Sequence, residues 1–83
     1  MNSREVLLRA TYDPEADAAY VYLTDVIPDG GLGYMATVDA PELRDGVHID
    51  VNHDGEVVGV ELLGAALLSP YLRRLLLASE EDR

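Results

Sequence analysis

The stretch that decides the fold is Val47–Leu62, which reads VHIDVNHDGEVVGVEL. Apolar and polar residues alternate on both sides of an Asp-Gly pair, and this combination is the strongest short-range signal for a β-hairpin. The pattern predicts that Asp54 and Gly55 are the two central residues of the turn. The apolar pairs on one face are then Val47 with Leu62, Ile49 with Val60 and Val51 with Val58. A shift of one residue would mix the two faces, so an odd-length loop is not expected.

Three earlier segments also have the composition of strands, because they are rich in β-branched, aromatic and aliphatic residues. The predicted strands are Val6–Tyr12, Ala19–Leu23 and Tyr34–Val38. Turn-forming residues follow the first two, at Asp13–Asp17 and at Pro28–Gly31.

The C-terminal part of the chain predicts one helix. Ser69 and Pro70 are typical of an N-cap and a first helical position, since serine accepts an unpaired N–H and proline has none to donate. The helix should continue to about Ser79. Its apolar stripe would be Leu68, Leu72, Leu75 and Leu76. The sequence therefore predicts a single α+β domain over residues 1–83. It should consist of a small antiparallel β-sheet of four to five strands, a meander of hairpins, with one C-terminal helix packed on one face.

Charge and composition restrict the partners of the chain. Sixteen acidic against six basic residues give a formal charge of −10, which repels nucleic acids and anionic membranes and attracts a basic protein. A chain of 83 residues without cysteine has a thin core and no disulfides, so a homodimer is expected. The first ten residues lack the apolar stretch of a secretory signal, and residues 65–78 are too interrupted to span a bilayer. We therefore expect a cytoplasmic protein.

One motif imitates a calcium-binding loop. The residues Asp50, Asn52, Asp54, Gly55 and Glu61 fit the EF-hand pattern at every fixed position. That loop needs helices on both sides, whereas these flanks alternate with period two. Glu61 would lie roughly 20 Å from Gly55 along a strand that rises about 3.3 Å per residue. The pattern therefore favours a hairpin turn without metal or cofactor, and a weak cation site at Asp50, Asn52 and Asp54 is the alternative.

The predicted register also places His48 opposite Glu61, with Asp50 on the same face. A histidine beside carboxylates can do acid–base chemistry, but no recognisable nucleophile or oxyanion donor accompanies it, so a cross-strand polar pair is favoured. His53, in the turn, is expected to be solvated. The candidate polar surface comprises Asp13, Asp17, His48, Asp50 and Glu61, and the candidate recognition surface comprises Tyr20 and Tyr22.

Three segments together resemble a known family. They are Tyr12–Val21 (YDPEADAAYV), Gly46–Val51 (GVHIDV) and Asp54–Glu61 (DGEVVGVE), and they are similar to the pattern of domain-of-unknown-function family 2283. The resemblance implies a small bacterial or archaeal protein with an antiparallel sheet and a C-terminal helix. It implies no known activity and no catalytic residues.

These observations favour a non-catalytic protein-interaction or regulatory module, such as an antitoxin or an accessory subunit, whose acidic surface binds a basic partner. The alternatives are a weak divalent-cation-binding protein and a small metal-dependent or acid–base enzyme. An enzyme would require Asp13, Asp17, His48, Asp50 and Glu61 to converge in space.

Overall fold

One five-stranded antiparallel sheet forms most of the described chain. The computed structural model describes residues 2–43, 46–65, 69–71 and 73–75. The strands are β1 (Ala10–Asp13), β2 (Ala18–Tyr22), β3 (Leu32–Val38), β4 (Val47–Asn52) and β5 (Val57–Leu63). A 3-10 turn at Pro41–Leu43 lies between β3 and β4. The strand order across the sheet is β1-β2-β5-β4-β3.

This order confirms the antiparallel sheet and corrects the expected meander. Hairpins join β1 to β2, β3 to β4 and β4 to β5, but β2 pairs with β5 rather than with β3. The segment 23–31 must therefore cross from β2 to the far edge of the sheet, and we call it the crossing loop. It begins beside β5, where Leu23 donates its N–H to the carbonyl of Val58 at 2.9 Å, and then passes the β4–β5 turn.

The β4–β5 pairing follows the predicted register away from the turn. The confirmed pairs are Val47 with Leu62, His48 with Glu61 and Ile49 with Val60. Next to the turn the register shifts, so that Val51 pairs with Val57 and not with Val58. The two faces still do not mix, because Val51 and Val58 are both buried, at 4% and 7% exposure.

The turn itself differs from the predicted two-residue form. Gly55 donates its N–H to the carbonyl of Asn52 at 3.1 Å, which makes His53 and Asp54 the central residues. Gly55 follows with a φ of 82°, and Asn52 donates its N–H to the carbonyl of Glu56 at 2.9 Å. This is a three-residue loop with a glycine bulge, and the prediction of an even-length loop was wrong. The register shift next to Val51 absorbs the extra residue, which is why the alternation could not reveal it.

The buried apolar residues form a small core. Among the described residues the buried hydrophobic ones are Ala19, Val51, Val58 and Ala65, and no large side chain among them is fully buried. Ala65 also donates its N–H to the carbonyl of Asp17 at 3.0 Å, which ties the end of the sheet to the β1–β2 turn. Within the described residues the core is therefore small.

The first strand is shorter than expected. It begins at Ala10 rather than at Val6, and Val6, Leu7 and Leu8 are 68%, 100% and 57% exposed. Immediately before β1, Tyr22 donates its N–H to the carbonyl of Arg9 in a backbone hydrogen bond. Beyond this point β2 has ended and the crossing loop leaves, so the preceding residues have no strand to pair with.

The predicted helix is described only at its start. Residues 70–71 and 73–75 are helical, and Arg73 donates its N–H to the carbonyl of Ser69 at 2.9 Å. This bond is the first one expected of a helix whose N-cap is Ser69. Leu75, which belongs to the predicted apolar stripe, is 51% exposed. Leu68, Leu72, Leu76 and the predicted end near Ser79 lie outside the described residues. The described chain is therefore mostly β.

Candidate functional site

The polar residues of three adjacent strands gather on one face of the sheet. Opposite the buried valines, β2, β5 and β4 form two cross-strand rows. One row is Tyr20, Glu61 and His48, and the other is Tyr22, Gly59 and Asp50. We call these six residues the polar face. The alternation of each strand places them there, because successive side chains point to opposite faces.

A tyrosine–carboxylate hydrogen bond joins the two rows diagonally. Tyr20 lies on β2 and Asp50 on β4, and the Tyr20 hydroxyl donates to Asp50 Oδ2 at 2.6 Å across the intervening strand β5. The ring passes over Gly59, and a Cβ atom at that position would overlap the ring and the hydroxyl of Tyr20. Glycine is therefore the only residue type at position 59 over which the hydrogen bond between Tyr20 and Asp50 can form without a shift of the Tyr20 ring.

This environment fixes the protonation state of Tyr20. Burial raises the pKa of Tyr20 above its ordinary value of 10.0, and the hydrogen bond to Asp50 and the charge of that carboxylate raise it further. The phenol remains protonated at neutral pH and acts as a donor. It is consequently unsuited to act as a general base.

We expect alkaline pH to reveal the contribution of Tyr20 to stability. Because the folded pKa is above the unfolded one, the contribution is complete below about pH 10 and is lost as the pH rises through the folded value. Tyr20→Phe should lower the free energy of unfolding by about 1 kcal/mol at neutral pH. Urea unfolding at neutral pH and at about pH 11 measures this. The difference between wild type and variant should shrink at the higher pH, and a constant difference would contradict the assignment.

The second contact of the polar face is a histidine–carboxylate contact within one row. His48 Nδ1 lies 3.2 Å from Glu61 Oε1, with side-chain exposures of 21% and 35%. This is the cross-strand pair that the register predicted. Neither side chain touches a serine, a threonine or a second carboxylate through a hydrogen bond in the described residues.

The two predicted recognition residues are engaged within the chain. The rings of Tyr20 and Tyr22 lie 4.8 Å apart with an interplanar angle of 60°, a tilted aromatic pair. The Arg9 guanidinium stands 3.8 Å from the centroid of the Tyr22 ring, and its Nη2 donates to the carbonyl of Asp25 at 3.4 Å. Whether this pair recognises a ligand stays a prediction. Both tyrosines are half-buried, and each contacts another residue, since Tyr20 donates to Asp50 and Tyr22 lies against Arg9.

The acidic residues of the β1–β2 turn lie away from the polar face. Asp13 Oδ1 accepts the N–H groups of Glu15 and Ala16, at 3.0 and 3.4 Å, as expected of a turn-capping aspartate. Asp17, with a φ of 49°, accepts the Tyr12 hydroxyl at 2.8 Å.

The sheet keeps Asp13 far from Asp50. Asp13 on β1 pairs with Ala18 on β2. Asp50 on β4 lies in the same cross-strand row as Tyr22, which is four residues farther along β2. At about 3.3 Å per residue this is a separation of roughly 13 Å along the strands, and two further strands intervene. The structure thus brings together His48 with Glu61 and Asp50 with Tyr20, and does not bring Asp13 to them.

The calcium-like motif forms the β4–β5 turn. Asn52 Oδ1 accepts the N–H groups of Asp54 and Glu56 at 3.0 and 2.9 Å, and Asn52 Nδ2 donates to Glu56 Oε1 at 3.0 Å. Asp50 points to the polar face and binds Tyr20. Among the described residues no three histidine, aspartate or glutamate side chains come together in a way that could hold a metal ion. Strands flank the motif, so an EF-hand geometry does not form.

A cleft lies where the crossing loop meets the β4–β5 turn. His53 Nε2 is 2.9 Å from the carbonyl of Gly30, so this exposed histidine is bonded to the chain as well as solvated. The cleft has a volume of about 220 Å³ and is lined by residues of both segments, among them Val26, Ile27, Pro28 and Asp54. Sequence reasoning missed it, because it depends on the pairing of β2 with β5.

Two further residues of the site were missed, namely Gly59 and Arg9. The signal for Gly59 was its place between Val58 and Val60, since a glycine inside a strand marks a close approach. No signal in the sequence places Arg9 over Tyr22.

The fold and the site define a small antiparallel β-sheet module in which side chains of the polar face are paired with one another, Tyr20 with Asp50 and His48 with Glu61. The family described as Protein of unknown function (DUF2283) matches residues 9–65, which include all five strands. The chain belongs to this family, as the sequence pattern predicted. No curated protein and no solved structure matches the chain. In the described part of the chain, no helix is both long enough and apolar enough to cross a membrane.

Proposed function

We propose that this chain is a non-catalytic interaction module, comparable to an antitoxin or an accessory subunit, which binds a basic protein partner through its acidic surface. The observation that carries the proposal is a set of exposed carboxylates on the two segments that form the crossing-loop cleft, of which Asp54 lines the cleft itself. Asp25 and Asp29 belong to the crossing loop, and Asp54 and Glu56 belong to the β4–β5 turn. All four residues are exposed.

The contacts on the polar face favour a binding role over catalysis. Tyr20 donates to Asp50, and His48 lies beside Glu61, so the groups suited to acid–base chemistry already have partners within the chain. A general base must reach the proton that it removes, and a carboxylate occupied by a tyrosine has first to give up that bond.

The exposed carboxylates near the cleft differ from those of the polar face, because most of them have no partner among the described residues. The side chains of Asp25, Asp29 and Asp54 form no hydrogen bond or ion pair with another described residue. Between them lie Val26, Ile27 and Pro28, which supply apolar surface to the cleft. Lysine and arginine combine an apolar stem with a charged end, so a cleft of this kind suits such a side chain from a partner. A net charge of −10 adds long-range attraction for the same partner.

The test compares two variants of equal charge. Asp25→Asn with Asp29→Asn neutralises the crossing loop, whereas Asp39→Asn with Glu42→Gln neutralises exposed residues beyond the other end of β3. Each tagged chain is used to capture proteins from the lysate of its own host at low salt, followed by native mass spectrometry. We expect one stoichiometric basic protein on the wild type and on the Asp39/Glu42 variant, reduced at least about fivefold on the Asp25/Asp29 variant.

Salt provides the second criterion, because an interaction between exposed charges weakens as ionic strength rises. Retention of the partner should therefore fall between low and high salt. Capture of nothing at low salt, or equal loss from both variants, would contradict the proposal that the cleft binds a basic protein.

A further inference from the structure

We propose that the free edge of β3 pairs antiparallel with β3 of a second copy of this chain, so that one sheet runs through a homodimer. This contact lies at the edge of the sheet, away from the crossing-loop cleft, and it does not depend on the proposed basic partner.

The free edge of β3 is long and exposed. β3 spans Leu32–Val38, it is regular from Tyr34 to Val38 after a register shift between Leu32 and Tyr34, and its one neighbour in the described sheet is β4. The backbone groups that point away from β4 therefore have no strand to bond to within the described residues. Tyr34 and Met35 are 62% and 53% exposed, so apolar side chains flank this edge on both faces. A long apolar edge of this kind is a template for pairing with another strand.

Charge identifies a second copy as the occupant. The sequence of β3, LGYMATV, contains no charged residue and no proline, although the whole chain carries a charge of −10. Two copies repel one another over most of their surfaces, and β3 is an edge at which they can approach without opposing carboxylates. A basic segment would find no charge to bind on this strand.

The other edge of the sheet is much less suitable. β1 has four residues, and its last residue, Asp13, is charged and stands directly before Pro14. Short edge strands that end in charge and proline resist pairing. The size and composition of the chain also favour association, because a small domain without disulfides gains stability when association buries more surface.

The strand also indicates the register of the pair. A two-fold axis at Met35, the central residue of Leu32–Val38, makes Met35 face its own copy and Tyr34 face Ala36, within the part of the strand that is regular after the register shift between Leu32 and Tyr34. Asp39 then faces Gly31, and no two carboxylates oppose each other. In this register the two Tyr34 side chains are diagonal neighbours on one face.

Sedimentation equilibrium compares two matched substitutions. Tyr34→Glu puts like charges near the two-fold axis, and Tyr71→Glu changes an equally exposed tyrosine, at 65%, in the helical segment. We expect the wild type and Tyr71→Glu to reach twice the chain mass of 9.1 kDa. Tyr34→Glu should raise the dissociation constant of the dimer at least about tenfold. Urea unfolding of each variant verifies that the chain is folded.

A crosslink tests the register independently of any charge. The chain has no cysteine, so Met35→Cys supplies a unique thiol. Directly opposed residues in an antiparallel pair have Cα atoms about 4.5–5.5 Å apart, within the range of a disulfide. We expect Met35→Cys to oxidise to a covalent dimer much faster than Tyr71→Cys.

Three outcomes would overturn the proposal. The first is a wild type that stays at the monomer mass across the concentration series. The second is a dimer that Tyr34→Glu leaves unchanged, which would place the interface elsewhere. The third is a dimer in which Met35→Cys crosslinks no faster than Tyr71→Cys.

Discussion

Gly59→Ala is expected to lower the free energy of unfolding by about 2 kcal/mol, measured by urea unfolding. The added Cβ would occupy the space of the Tyr20 ring, which must cross Gly59 to reach Asp50. The ring therefore has to move, and the hydrogen bond between the Tyr20 hydroxyl and the Asp50 carboxylate is lost with it. Overpacking and the loss of a bond to a charged acceptor act in the same direction.

A double-mutant cycle separates this effect from the ordinary preference of a strand. When Tyr20→Ala has already removed the ring, Gly59→Ala should be neutral or slightly stabilising, because glycine weakens a strand relative to alanine. Gly59 has no positive φ that alanine would strain. A similar loss of stability in both backgrounds would show that the ring of Tyr20 is not what excludes a side chain at position 59.

The hairpin shows how far the alternation of a sequence can predict a structure. Apolar alternation fixed the register of Val47 with Leu62 and of His48 with Glu61, because a slip by one residue would expose every buried side chain. The same alternation could not determine the length of the turn, since the bulge near Val51 restores the faces after an odd loop. Turn geometry depends on local hydrogen bonds, which the apolar pattern does not report.

Strand order was harder to predict, and the site depends on it. Local patterns identify strands, whereas the pairing of β2 with β5 is a contact between segments far apart in the sequence. That pairing brings Tyr20 within reach of Asp50 and sends the crossing loop past the β4–β5 turn. The individual side chains on each strand face could therefore be predicted, but the diagonal bond over Gly59 and the crossing-loop cleft could not.

The length of β1 was overestimated for a related reason. Val6–Leu8 is as apolar as a strand, but a strand also needs a partner, and β2 ends at Tyr22. The pattern of one segment contains no information about where its neighbour ends.

Asn52→Ala is expected to destabilise the chain by about 2 kcal/mol. Asn52 Oδ1 accepts the N–H groups of Asp54 and Glu56, and its Nδ2 donates to the Glu56 carboxylate. Each such bond contributes about 0.5–1.5 kcal/mol, and the two N–H groups at an exposed turn can recover part of the loss by binding water. Amide hydrogen exchange at Asp54 and Glu56 should accelerate together with the decrease in the urea midpoint.

Asp54→Ala is the matched control for this turn. Asp54 occupies another fixed position of the calcium-like pattern, but it is exposed and its carboxylate bonds to no described residue. We expect this substitution to change the free energy of unfolding by less than about 0.5 kcal/mol. If the motif served a cation, both residues would be ligands, and both substitutions would abolish stabilisation by added calcium. We expect Asn52→Ala to lower the free energy of unfolding more than Asp54→Ala in the absence of calcium, and we expect calcium not to stabilise the wild type. These two results together would assign the motif to turn formation.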